Sequence, residues 1–202
     1  MKRRLTSMAL IGTAAVMVAG VLTATPAYAG TCLETIECDT TVTFDVTAGA
    51  LQITVPDGPV ALTNNGAPGG YAYGQLGAVT VDDLRASATP SWTATVSSTS
   101  FITGTGADPG TSIPASAVYY CSGDATATEG SGTFVPGQPG TCSPPPPPDG
   151  DALTAPVTAF SHTVVATETG NNSATWDPLL TVAIPITAIA GTFTGTITHT
   201  VA

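Results

Sequence analysis

The chain has 202 residues, with 4 basic side chains, 14 acidic ones and only 9% charged residues in all. So acidic a chain repels nucleic acid and anionic lipid, which excludes a nucleic-acid role. Its length suits one domain, or one domain with an insertion.

Residues 1–29 read as a secretory signal peptide. Lys2, Arg3 and Arg4 form a positive region, Met8 to Leu22 an apolar one, and Ala27-Tyr28-Ala29 a small-x-small cleavage site. The apolar run is too short for a membrane span, so no membrane anchor is expected after cleavage. Loss of the leader would leave Arg85 as the one cation against 14 acids, a net charge of −13. That acidity keeps an exported protein soluble. Residues 30–202 are then the folded part.

All four cysteines lie in the exported part, where disulfides form. Three connectivities are open; pairing by proximity, Cys32 with Cys38 and Cys121 with Cys142, is the expectation. In the chain-entropy description these loops would contribute about 2 and about 3 kcal/mol. The spacing and the lack of histidine company do not suggest a metal site.

From there the sequence reads as short strands between turns. Thr41–Val46 alternates, with Val42, Phe44 and Val46 on one side. Ala50–Val55 does the same with Leu51, Ile53 and Val55, and Pro56-Asp57-Gly58-Pro59 ends it. Val60–Leu62 resumes briefly. Residues 64–70 are a loop on composition, and Tyr71 and Tyr73, read as part of the same glycine-rich loop, are candidates for a contact surface.

Ala78–Asp82 and Trp92–Ser98 are strands. In the second, Trp92, Ala94 and Val96 share a face opposite Thr93, Thr95 and Ser97. Gly104–Pro114 is a loop and Ala115–Cys121 a strand. Between 122 and 151 the apolar periodicity disappears, and Pro144–Pro148 suggests a polyproline II run. This is read as an irregular, Pro/Gly-rich surface excursion, pinned if Cys121 and Cys142 pair. Strands resume at Ala155–Thr167 and Leu179–Ile186, with Trp176 in a partly exposed turn between them.

The closing stretch, residues 191–202, separates with period two. Phe193, Ile197, His199 and Val201 point one way and Thr192, Thr194, Thr196, Thr198 and Thr200 the other. Such a strand must pair far back in sequence. Together these patterns give an all-β chain, an antiparallel β-sandwich of Ig-like or Greek-key type with about seven to nine strands.

Catalytic chemistry finds little support, and no enzyme activity, cofactor or metal is expected. His162 and His199 sit within strand patterns, and His199 reads as a packed histidine. No serine occupies a Gly-x-Ser-x-Gly elbow. Asp82 and Asp83 face opposite ways in a strand and cannot share a proton; one of them is free to pair with Arg85. Asp149-Gly-Asp151 is a weak calcium candidate. Trp92 either stacks on a sugar with its flat face or packs into the core.

Val79-Thr-Val-Asp-Asp-Leu-Arg85 followed by Ser91-Trp-Thr-Ala-Thr-Val96 resembles the first signature of the WxL domain of Gram-positive surface proteins. Leu179-Leu-Thr-Val-Ala-Ile-Pro185, with Ala190 to Val201, resembles its C-terminal half. The match spans about Thr41 to Ala202 outside the proline-rich excursion. It departs at Trp92-Thr93-Ala94, with Ala for Leu, and at His199-Thr200-Val201, with no tryptophan. The resemblance implies a secreted β-domain held noncovalently on the cell wall, through peptidoglycan. It makes Trp92, Thr93, Ala94, His199, Thr200 and Val201 the candidate binding residues. The partners expected are cell-wall polysaccharide, peptidoglycan or surface proteins. Alternatives are a structural subunit of a surface layer or fibre, through edge-to-edge strand addition, and more remotely a secreted hydrolase.

Overall fold

The computed structural model describes residues 33–35, 40–165 and 169–202. The expected leader, residues 1–29, and the expected Cys32–Cys38 pair fall outside the described residues. The chain divides into two units, residues 1–44 and 45–202. In the first, the described residues form no helix or strand. The second holds fourteen strands.

These are β1 (Leu51–Thr54), β2 (Tyr71–Gln75), β3 (Val79–Asp83), β4 (Trp92–Ser98), β5 (Phe101–Ile102), β6 (Ser112–Ile113), β7 (Val118–Cys121) and β8 (Ala127–Glu129). They continue with β9 (Thr133–Pro136), β10 (Asp151–Ala152), β11 (Val157–Thr163), β12 (Asn172–Trp176), β13 (Leu179–Ala183) and β14 (Ile197–Val201). All pairings are antiparallel. Three four-stranded sheets have the orders β1-β3-β12-β8, β10-β7-β13-β2 and β14-β4-β11-β9, and β5 pairs with β6. The architecture is all-β and sandwich-like.

Alternation explains the sheet that carries β14. Trp92, Ala94 and Val96 are buried while Thr93 is exposed. Across the ladder Ala94 faces Phe160 and Trp92 faces His162, so like side chains meet on each face. Phe160 of this sheet stacks on Trp176 of the β1-β3-β12-β8 sheet at 4.9 Å. Trp176 in turn donates its indole N–H to Tyr120 of the β10-β7-β13-β2 sheet at 2.9 Å. These three rings tie the sheets together.

Several local readings change. Thr41–Val46 forms no strand, and Val42, Phe44 and Val46 are exposed. Val60–Leu62 forms none either. Tyr71 and Tyr73 are half-buried in β2, paired with Ala183 and Thr181, because alternation continues through a glycine-rich sequence. Trp176 is fully buried. Segment 122–151 is not a simple excursion: β8 adds to β12 and β9 to β11 as edge strands, and the count rises above seven to nine because such strands are short. The segment is tied down by the Cys121–Cys142 disulfide. In the proline run, the Pro145–Pro146 and Pro146–Pro147 bonds are cis.

Candidate functional site

The ends of β3 and β4 meet in one polar network. Asp83 is fully buried. Its Oδ1 accepts from the backbone N–H and Nε of Arg85 at 3.1 and 2.8 Å, and its Oδ2 from Nη2 at 2.8 Å. Burial by itself would raise the Asp83 carboxyl. The Arg85 side-chain bonds, the Arg85 backbone N–H, the guanidinium charge and the Asn172 amide outweigh it and hold the pKa below the usual carboxylate value. Arg85 also donates to the Ser91 carbonyl at 2.9 Å, which pins the turn leading into β4.

Trp92 lies just beyond that turn and is 3% exposed. Its Nε1–H donates to Asn172 Oδ1 at 2.7 Å, and Asn172 Nδ2 donates to the Pro90 carbonyl at 3.2 Å. The indole therefore has no face for a sugar. Of the two readings open for Trp92, the packed one holds, since the indole N–H finds its partner inside the protein. Ala94 is buried as well.

His162 is fully buried between Trp92, 5.9 Å away, and Phe134, 4.4 Å away. Nδ1 lies 2.7 Å from the Pro90 carbonyl and Nε2 lies 2.9 Å from that of Ser131. Both nitrogens are committed to backbone oxygens, which leaves none for base catalysis. Gly132, at a φ of +112°, permits this approach; a Cβ there would run into His162 Nε2.

His199 is half-buried, and its Nε2 lies 3.0 Å from Tyr120 Oη. The Trp176 N–H can only donate, so the Tyr120 oxygen accepts there, and its own O–H can donate to His199 Nε2. That arrangement takes the neutral tautomer with its proton on Nδ1. Burial pushes its pKa down to about 4. Burial also raises the Tyr120 phenol above its ordinary range.

His199 and Ile197 form one side of an apolar groove of about 290 Å³. Val55, Pro59, Val60, Leu62 and Phe101 also line it. Trp92 and His199 are not neighbours on the strand pairing, since Trp92 faces His162 and His199 faces Val96.

The remaining candidates point the other way. Thr93 and Thr200 are exposed, and Thr200 Oγ1 lies 2.7 Å from Thr95 Oγ1. By register, Thr200, Thr95 and Thr158 form one row across β14, β4 and β11, with Thr198 beside Ser97. Ser161 opposes Thr93, and Thr163 opposes Thr133 on β9. None of these four strands contains Asp, Glu, Lys or Arg. The result is an uncharged, hydroxyl-lined sheet face on an acidic protein.

Sequence reasoning missed Asn172, which joins Asp83 to Trp92. Asn172 shares an inward face with Ala174 and Trp176, and a polar residue at the inward position hid the alternation. Asp149 and Asp151 accept bonds from Ser143 N–H and Gln138 Nε2 respectively, and among the described residues no cluster of three metal-ligating side chains forms. Compared with known protein families, curated proteins and solved structures, the chain finds no match in any of the three.

Proposed function

We propose that this chain is a secreted, non-enzymatic surface protein that associates noncovalently with the cell wall, through the glycan of peptidoglycan, or with other surface proteins. The observation that carries this reading is the hydroxyl face of the β14-β4-β11-β9 sheet. Its threonines and serines stand on a pleated lattice, about 4.8 Å apart across strands and about 6.8 Å apart along them. Such a face offers donors and acceptors, directly or through water, to the hydroxyls of a neutral polysaccharide.

Charge supports the same choice. An acidic protein repels wall polyanions, whereas a face without charge meets a neutral glycan at no electrostatic cost. The leader-like residues 1–29 and the WxL-like framework agree with export to a Gram-positive surface. The buried Trp92 shifts the contact from the tryptophan named by that framework to the threonines beside it. Thr93 and Thr200 of the signature positions keep a binding role; Trp92 and Ala94 hold the sheet in shape. Co-sedimentation of the purified chain with isolated peptidoglycan tests the reading. Binding no greater than that of an unrelated acidic β-protein would sink it.

A further inference from the structure

We propose that two copies of this chain associate by strand addition, with segment Thr41–Val46 of one copy laid along the outer edge of β14 of the other. This inference is independent of wall binding and rests on two unpaired halves.

The acceptor is β14. Thr93 and Ala202 exchange both backbone hydrogen bonds, at 2.8 and 3.1 Å. Bonded and non-bonded pairs alternate along an antiparallel ladder. The backbone groups of Thr198 and Thr200 therefore point to β4, and the N–H and C=O groups of Ile197, His199 and Val201 point outward. β14 is an edge strand. β1 runs near it without pairing, so among the described residues nothing satisfies those outward groups.

Edge strands are commonly blunted by shortness, charge, proline or a covering segment. Four of the others here follow that rule, while β1, a shorter edge of four residues, carries neither charge nor proline. β10 has two residues and includes Asp151, β8 includes Glu129, β9 ends in Pro136, and Asn64 bonds both backbone groups of Tyr73 on β2. β14, with five residues, carries neither charge at neutral pH nor proline, and the apolar groove opens beside it.

The donor is Thr41–Val46. Val42, Phe44 and Val46 are 79%, 84% and 75% exposed, and the segment lies in no strand. Its alternation matches β14 on both faces. Val42, Phe44 and Val46 would join Ile197, His199 and Val201 on the groove side. Thr41, Thr43 and Asp45 would join the threonine side. An open edge selects an extended polypeptide by its backbone groups, with side-chain pockets adding specificity. The acidity of each copy opposes encounter, so association strengthens with added salt.

The test is sedimentation velocity of the full chain over a hundredfold concentration range, at low and moderate salt. Two variants accompany it. Phe44→Asp alters a side chain that is exposed in the single copy, so its thermal unfolding matches wild type. Val201→Pro removes an outward N–H while sparing the ladder to β4, as edge strands tolerate. The expected result is a salt-strengthened dimer or longer species, weakened at least tenfold by either substitution and dissociated by an excess of a peptide spanning residues 40–48. A strictly monomeric wild type would overturn the proposal. So would association that ignores Phe44→Asp, which would assign the edge to a different occupant.

Discussion

The Tyr120 hydroxyl stands between Trp176 Nε1, 2.9 Å away, and His199 Nε2, 3.0 Å away. This arrangement suits a neutral histidine on the closing strand, and burial makes that histidine a proton-sensitive part of the core. Its folded pKa of about 4 lies below the ordinary value of 6.5. The unfolded chain therefore binds the proton more readily. The stabilisation is fully present above pH 6.5 and is lost as pH falls toward 4, by about 3 kcal/mol in all. Urea unfolding at pH 7 and pH 4.5 should show this loss. In His199→Phe the corresponding slope should vanish, although the protein starts lower because the Tyr120 proton loses its acceptor.

A second acid-linked element is Asp83, whose folded pKa lies below its ordinary 3.8. A depressed carboxylate contributes stability above the unfolded value and loses it as pH falls through the folded one. Removing Arg85 strands a fully buried carboxylate. Arg85→Met should therefore cost about 3–5 kcal/mol at pH 7. The deficit relative to wild type should shrink below pH 4, where the carboxyl takes up a proton. Paired urea titrations at pH 7 and pH 3 measure the difference; an equal deficit at both would disprove the assignment.

Trp92 provides a stability prediction with a functional corollary. Trp92→Ala opens a cavity against Phe160 and His162 and releases the Asn172 bond, at a cost of about 3–5 kcal/mol. Under conditions where the variant remains folded, its peptidoglycan affinity should stay within about twofold of wild type, a factor worth about 0.4 kcal/mol. Denaturant midpoints and pull-downs on the same preparation separate the two effects. A large affinity loss without a stability loss would return the tryptophan to the binding surface.

Fold class was legible because period-two alternation is local: β3, β4 and β14 were readable from Val79, Trp92 and Ile197 onward. The pairing of Asp83 with Arg85 was accessible because Arg85 is the one cation beyond residue 4. Sheet order was not legible, since it depends on contacts such as Phe160 with Trp176 that no local pattern encodes. β12 was hidden by inward Asn172, and β8 and β9 by their polar edge composition. Trp92 looked ambiguous because its fate depends on Asn172, eighty residues away. Thr41–Val46 shows the converse: a well-patterned stretch that forms no strand in the single chain.

The central claim, that the hydroxyl face makes the wall contact, is tested most directly by one binding comparison. Thr93, Thr95, Thr198 and Thr200 are replaced together by Val, which keeps the β-branched shape and removes the hydroxyls. The Thr95–Thr200 bond loses both partners at once, so stability should change by less than about 1 kcal/mol. Co-sedimentation with isolated peptidoglycan should then show at least a tenfold loss of affinity relative to wild type. Wild-type affinity in the folded quadruple variant would contradict the account.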